Sequence, residues 1–298
     1  MITAPGAAML DQKVFITRTA NPWPDLFERW WDGAEWLWVN HGRPMGTPLV
    51  SSPGAAMINN KLFVVSEDGK LWERHWRLDL NRWVWFDHGR PNDVRVATAP
   101  GAAMMDEKFF VATEDGDLWE RHWRTDLNRW AWFNHGRPNN EKVVHTPGAA
   151  MMDEKLFVVS EIGNLWERHW RSDLNQWVWS DHGRPNNEKV VHTPGAPMMN
   201  EKLFVVSENG NLWERHWRSD LNQWVWNSHG RPPNTNLCTA PGAAMADRRL
   251  FVGASNGRLY ERFWNTRSWK WVDHGEPPGT RVSTEPAGAM LNSKLFVG

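Results

Sequence analysis

Short apolar segments alternate with segments of mixed polarity along the whole chain. KLFVV, at 61–65 and again at 202–206, is almost entirely apolar, whereas LWERHW at 71–76 and WVWFDHG at 83–89 interleave large apolar and polar side chains. Apolar runs of this length, and alternation with a period of two, are typical of β-strands. No segment has a sustained helical period. The pattern therefore predicts an all-β chain built from short strands.

The same group of segments recurs about every 47 residues. The glycine of an HG dipeptide falls at 42, 89, 136, 183, 230 and 275. Each unit reads as four strands, which in one-letter code resemble GAAMM, KLFVV, LWERHW and WVWFDHG. Pairs such as Asp68-Gly69 and Asn209-Gly210 predict two-residue hairpin turns, and the LDLN or SDLN segments predict the next turn. Four antiparallel strands in 40–50 residues are typical of one blade of a β-propeller.

The repeats predict the domain organisation. We expect one β-propeller domain over residues 1–298, with units at about 1–48, 49–95, 96–142, 143–189, 190–236 and 237–282 and a partial unit at 283–298. The first half of the unit occurs seven times and the Trp-rich half six times. Seven blades, the last of them incomplete, are favoured, and six blades are the alternative. The Gly and Ala residues of the first strand fit crowding near a central axis.

Composition excludes several classes of protein. The chain has 34 basic and 35 acidic residues and no long run of one sign, which argues against nucleic acid as a partner. The lone Cys238 excludes an internal disulfide and a cysteine-based metal site. There is no apolar run near the length of a membrane span and no visible secretory signal. We expect a soluble protein, cytoplasmic or released without a visible signal peptide, that needs no cofactor and does not insert into membranes. The sequence leaves the oligomeric state open.

Tryptophan is the unusual component, with 24 residues against a single Tyr. Alternation places Trp72, Arg74 and Trp76 on one face of a strand and Glu73 on the other. These indoles could simply fill the space between blades, with Arg74 held between Trp72 and Trp76 by cation–π contacts. Indoles beside charged hydrogen-bonding groups also suit a sugar, because a pyranose has an apolar C–H face and polar hydroxyls. Repeated weak sites would then gain avidity for a multivalent glycan.

The repeat also resembles a known family. LFERWWDGAEWLWVNHG at 26–42 and LFVVSEDGKLWERHW at 62–76 are similar to the repeat of the PLL-like β-propeller lectins, with a looser similarity to tachylectin and tectonin propellers. The resemblance covers essentially the whole chain. It implies a seven-bladed propeller that binds L-fucose or O-methylated sugars in pockets between blades. The ER or ERH segments and the HGRP motif depart from the family pattern.

From these two arguments we predict a multivalent lectin whose sites use the Glu, the following Arg and the indoles of each central repeat. The predicted sugar-binding residues are Glu73, Arg74, Trp76, Trp83, Trp85, Glu120, Arg121, Trp123, Trp130, Trp132, Glu167, Arg168, Trp170, Trp177, Trp179, Glu214, Arg215, Trp217, Trp224 and Trp226.

The alternative function is a non-catalytic protein-interaction scaffold. An enzyme is disfavoured, because a glycosidase needs one unique pair of carboxylates and here every acidic residue of interest recurs. A metal site is disfavoured because the repeats spread the histidines instead of bringing them together. We expect each HG histidine to cap or hydrogen-bond its own turn.

Overall fold

The computed structural model describes residues 6–7, 13–20, 22–55, 61–102, 108–149, 155–195, 202–244, 249–284, 286–288 and 295–297. The chain divides into two compact units, Met1–Thr146 and Pro147–Gly298. The division falls near the predicted boundary between the third and fourth repeats, at 142/143. The grouping of all repeats in one domain stays a prediction.

The first compact unit contains three four-stranded antiparallel sheets, each made by one repeat in chain order. Their strands are β1 (Gly6–Ala7), β2 (Lys13–Ala20), β3 (Trp23–Trp31) and β4 (Trp36–Gly42); β5 (Gly54–Ala55), β6 (Lys61–Val65), β7 (Leu71–Arg77) and β8 (Arg82–Gly89); and β9 (Gly101–Ala102), β10 (Lys108–Ala112), β11 (Leu118–Arg124) and β12 (Arg129–Gly136). The predicted strands therefore form where the pattern placed them. The methionine ends of the GAAMM segments lie outside the described residues.

The second compact unit repeats this arrangement. Its strands are β13 (Gly148–Ala149), β14 (Leu156–Val159), β15 (Leu165–Arg171) and β16 (Gln176–Gly183); β17 (Lys202–Val206), β18 (Leu212–Arg218) and β19 (Gln223–Gly230); β20 (Gly242–Ala244), β21 (Arg249–Gly253), β22 (Leu259–Trp264) and β23 (Trp269–Gly275); and β24 (Ala287–Gly288) with β25 (Leu295–Phe296). In the sheet of β17–β19, Gly195 forms an isolated bridge to Phe204 at the position of the first strand. No helix in the described residues is long and apolar enough to cross a membrane.

The turn between the second and third strands is longer than predicted. The backbone N–H of Ser66 donates to the carbonyl of Lys70, so the loop contains three residues and not two. Gly69 N–H donates to the carbonyl of Ser66, and Gly69 has φ +78°. A three-residue loop that ends in a left-handed glycine is the next most common hairpin connection. The Asp-Gly signal located the turn, but the glycine alone takes the positive φ.

The segment between repeats ties neighbouring sheets together. It begins with a 3₁₀ turn, seen at Pro44–Gly46, Pro91–Asp93, Pro138–Asn140 and Pro185–Asn187. After it, Val96 N–H donates to the carbonyl of Gly69 in the preceding repeat, and Val96 also bridges Thr113 of its own repeat. The buried Val96 packs with Phe63 and Phe109, so each crossing contributes to the core between two sheets.

The first strands lie very close to the following repeat. A Cβ atom added to Gly54 would lie 2.4 Å from the backbone oxygen of Pro100. The corresponding distance at Gly148 is 2.5 Å to Pro194. These contacts explain why glycine begins the first strand, and they agree with the crowding that the sequence predicted there.

Candidate functional site

Each HG histidine lies in a β-bulge of the fourth strand. Leu71 pairs with Gly89 while Trp72 pairs with Asp87, so His88 has no partner in the ladder. The same irregularity recurs in every complete sheet. The turn is capped by the residue before the histidine, because Gly89 N–H donates to Asp87 Oδ1 over 2.6 Å. The expectation that the histidine caps its own turn is therefore wrong: the bulge aims its side chain between the sheets instead.

A chain of three side chains joins one sheet to the next. His88 Nε2 donates to Glu73 Oε2 over 2.9 Å within one sheet, and Arg121 Nε of the following sheet donates to His88 Nδ1 over 3.2 Å. Glu73, His88 and Arg121 are 2%, 4% and 9% exposed. Because Nδ1 accepts a hydrogen bond, the proton resides on Nε2 and the imidazole is neutral.

The chain recurs in the second compact unit. Glu167, His182 and Arg215 form it with distances of 2.8 and 3.1 Å between successive groups. His229 links Glu214, at 2.9 Å, to Arg262, at 3.5 Å. The repeated Glu, His and Arg therefore fasten neighbouring sheets to each other.

The electrostatics of the chain follow from its burial. Burial lowers the pKa of His88 below its ordinary value, and the hydrogen bond to Glu73 offsets this only in part. Burial raises the pKa of Glu73, but the hydrogen bond from His88 and the charge of Lys61 outweigh it, so the net shift is downward. Burial lowers the pKa of Arg121 to about 10, and the charge of Glu73 opposes this only in part. The folded protein thus stabilises an ionised Glu73 and a neutral His88.

The protein is expected to lose stability as the pH falls below about 6.5, the ordinary pKa of histidine. In the unfolded chain His88 becomes protonated at this pH. In the folded chain protonation is unfavourable, because it would place the Nδ1–H of His88 against the Nε–H of Arg121. The depressed pKa of Glu73 adds a further loss at lower pH. Urea midpoints at pH 7, 6 and 5 measure this, and His88→Gln should show a shallower decline because glutamine does not titrate. Equal slopes in the two proteins would contradict it.

Cations cover one face of many of the indoles. The guanidinium carbon of Arg74 lies 4.9 Å from the ring centre of Trp85, and that of Arg121 lies 5.0 Å from Trp132. Lys61 Nζ lies 5.0 Å from the ring of Trp130. The predicted placement of Arg74 between Trp72 and Trp76 is wrong, since directly opposite residues on paired strands are closer than i±2 neighbours on one strand. Equivalent cation pairs are Arg168 with Trp179, Arg215 with Trp226 and Lys155 with Trp224.

Some of the indoles also form pairs near the outer end of the hairpin between the third and fourth strands. Trp76 and Trp83 meet edge to face with ring centres 5.9 Å apart. The other pairs are Trp123 with Trp130, Trp170 with Trp177 and Trp217 with Trp224. Trp170 and Trp217 keep 38% and 37% of their surface exposed. These outer indoles are the predicted sugar-binding rings with the best access to solvent.

The predicted carboxylates lie inside the protein. Each contacts two histidines of its own sheet: Glu73 with His75 and His88, Glu120 with His122 and His135, Glu167 with His169 and His182, and Glu214 with His216 and His229. The carboxylate oxygens are buried and already contact these histidines. The glutamates therefore hold the histidines in place between the sheets. Sugar binding by the predicted residues stays a prediction.

An open cleft of about 610 Å³ lies between the sheet of β5–β8 and the sheet of β9–β12. Cationic groups line it: Lys61, Arg77, Arg121 and Arg129. Aromatic rings also contribute: Phe86, Trp123 and Trp130. The cleft can therefore accept a small group that carries negative charge or an apolar surface.

Sequence reasoning missed a second set of surface groups. In the turn between the third and fourth strands, Leu80, Leu127, Leu174 and Leu221 are 45–50% exposed. Each leucine precedes an asparagine with positive φ, which closes the turn. The signal was present in the sequence, as a leucine retained in every LDLN or SDLN turn where packing does not require one.

Comparisons with known proteins identify the fold. No family model and no curated protein matches the sequence. Similar solved structures include the RRP9 WD40 repeats, with a TM-score of 0.68 and 10% identity over 100% of this chain and 86% of that one. The β-propeller domain of Myceliophteria thermophila Cps50 (Swd1) has a TM-score of 0.65 and 11% identity over 99% and 92%. A mitotic checkpoint complex contains a chain with a TM-score of 0.66 and 11% identity over 99% and 83%.

These likenesses confirm the predicted propeller and give no support to the PLL-like lectin family in particular. Among the described residues, six sheets contain second, third and fourth strands, and β24–β25 form a separate pair. That count agrees better with the six-bladed alternative than with the favoured seven blades. The chain is an all-β propeller of repeated antiparallel sheets.

Proposed function

We propose that the protein is a non-catalytic interaction scaffold that binds protein partners through its outer hairpin turns. The observation that carries this proposal is the exposed leucine at the same turn position of successive repeats, Leu80, Leu127, Leu174 and Leu221. Scattered exposed apolar residues are ordinary, but an apolar group at one site of four successive repeats provides the same contact several times. The partly exposed indoles Trp170 and Trp217 lie close to two of these turns, since only one pair of strand residues separates each indole from its turn.

Two further observations favour a protein partner over a glycan. The carboxylates predicted to accept hydrogen bonds from sugar already contact histidines. Arg and Lys cover one face of several indoles that a pyranose would need for stacking. In addition, a structure with a similar chain is that of a mitotic checkpoint complex, which is an assembly. The exposed turns are therefore available to bind a protein partner.

The test compares two double variants, Leu80→Ser with Leu127→Ser in the first compact unit and Leu174→Ser with Leu221→Ser in the second. A photo-crosslinking residue at position 127 identifies the partner, whose affinity is then measured with purified proteins. We expect at least one double variant to weaken binding about tenfold, because burying two half-exposed leucines contributes on the order of 1–2 kcal/mol. Met45→Ser, which alters an 87% exposed residue in another loop, should have no effect. Unchanged affinity in both double variants would refute the proposal.

Carbohydrate binding is a second candidate, favoured by the open cleft beside Trp123 and Trp130. The expected ligands are glycans with L-fucose or O-methylated sugars, bound at several clefts at once. A glycan array and a cell agglutination assay with free monosaccharide as competitor separate the two candidates. A lectin agglutinates cells and is inhibited by the sugar, whereas the scaffold does neither.

A further inference from the structure

We propose that the cleft between the β5–β8 and β9–β12 sheets binds a carboxylate from an acidic segment of the protein partner. This inference rests on the proposed scaffold function, and it names the chemistry of the partner. Three observations support it: the position of Arg121, the surplus of cations around the cleft and the lysine that covers one face of Trp130.

Arg121 is a buried cation without a full set of acceptors. The residue is 9% exposed, and in the described part of the chain its only hydrogen bond goes from Nε to His88. Arg121 lines the cleft, and in the described residues its terminal amino groups make no hydrogen bond. A guanidinium with two free amino groups matches the two oxygens of a carboxylate. Such a ligand would supply the acceptors that the protein does not.

The charges around Arg121 also favour an anion. Of the other cations in the cleft, Arg77 pairs with Asp79 outside it, and Lys61 lies 3.6 Å from Glu73. Arg129 is exposed and has no acidic partner among the described residues. The lining carboxylates already have cationic partners, since Asp87 pairs with Lys70 and Glu73 lies next to Lys61. Arg121 and Arg129 therefore leave a net positive charge facing the cleft.

The geometry suits an acidic side chain better than a sugar ring. Lys61 covers one face of Trp130, which lines the cleft, so that face is not free for a pyranose. A space of about 610 Å³ has room for one or two side chains. Trp123 and Phe86 at its wall can pack against the methylenes of a glutamate.

The second compact unit provides a natural comparison. Arg82 and Arg129 begin the fourth strands of the second and third repeats, whereas Gln176 and Gln223 occupy this position in the fourth and fifth. Arg129→Gln thus gives the third repeat a residue that the protein already uses at the same place. Because Arg129 is exposed and outside the buried Glu–His–Arg chain, this change leaves the fold intact.

The experiment measures fluorescence anisotropy with the labelled peptide Gly-Asp-Glu-Asp-Glu-Gly and with its amide counterpart Gly-Asn-Gln-Asn-Gln-Gly. We expect the acidic peptide alone to bind. Arg129→Gln should weaken binding about threefold, and Lys61→Gln with Arg129→Gln about tenfold. Lys270→Gln also removes one exposed positive charge but does not line the cleft, so it should change nothing.

Equal binding of both peptides, no binding of either, or an equal loss in Lys270→Gln would overturn the inference. Preference for a sulfated oligosaccharide over the acidic peptide would also overturn it, in favour of an anionic glycan. The leucine variants report separately on the scaffold. If they lose the partner while Arg129→Gln has no effect, the scaffold proposal stands and the carboxylate site fails.

Discussion

Replacing His88 with alanine is expected to lower the free energy of unfolding by about 3–5 kcal/mol, because it leaves a buried ion without its partner. Glu73 would keep a buried carboxylate oxygen with no donor at the place of His88 Nε2, and Arg121 Nε would lose its acceptor. The loss also opens a cavity beside Trp130, whose ring centre lies 5.1 Å from that of His88. Urea unfolding followed by tryptophan fluorescence measures the change.

His75→Ala is the matched control. His75 Nδ1 lies 2.6 Å from the same carboxylate of Glu73, but its side chain is partly exposed, and in the described residues no hydrogen bond joins it to the neighbouring sheet. Its removal leaves the bond between His88 and Glu73 in place, so we expect a loss of about 1 kcal/mol or less. If the two variants are equally stable, the Glu–His–Arg chain does not hold the sheets together.

Gly54→Ala is expected to destabilise the protein by about 2–3 kcal/mol, through overpacking at the first strand. The added Cβ would lie 2.4 Å from the carbonyl oxygen of Pro100, and a backbone atom cannot rotate away as a side chain can. Either the short β5 strand or the segment at Pro100 must move. Thermal or urea unfolding of the purified variant checks this.

The control for that substitution is Ser52→Ala in the same segment. Among the described residues the Ser52 side chain makes no hydrogen bond. The free energy of unfolding of the Ser52→Ala variant should therefore stay within about 0.5 kcal/mol of the wild-type value. A Gly54→Ala protein as stable as this control would show that the first strands tolerate a Cβ and that the approach to Pro100 is not tight.

Much of the fold could be predicted because its signals are local. KLFVV at 61–65 forms β6 with the predicted bounds, and Asp68-Gly69 marks a turn. The predicted two-residue length of this loop was wrong, because Ser66 pairs with Lys70 and three residues lie between them. The number of blades depends on how the repeats pack, which spacing along the chain does not contain.

The candidate site was harder to predict. Sequence alternation grouped Trp, Glu and Arg correctly by face, but both a structural brace and a sugar site fit that grouping. The structure places Glu73 behind two histidines and pairs Arg74 with Trp85 across the strands. The exposed Leu127 was overlooked, because a single leucine in a turn has no periodic pattern of its own.

The sequence by itself determined the repeat, the four strands of each unit and the glycines of the turns, since strand alternation and positive φ act within a few residues. Only the tertiary structure decided what the histidine of HG does. Its bulge directs it to an arginine 33 residues away in the next sheet, and that pairing depends on the packing between sheets. Packing brings together residues that no local rule connects, and so it decided which polar groups are buried in the fold and which remain free to bind.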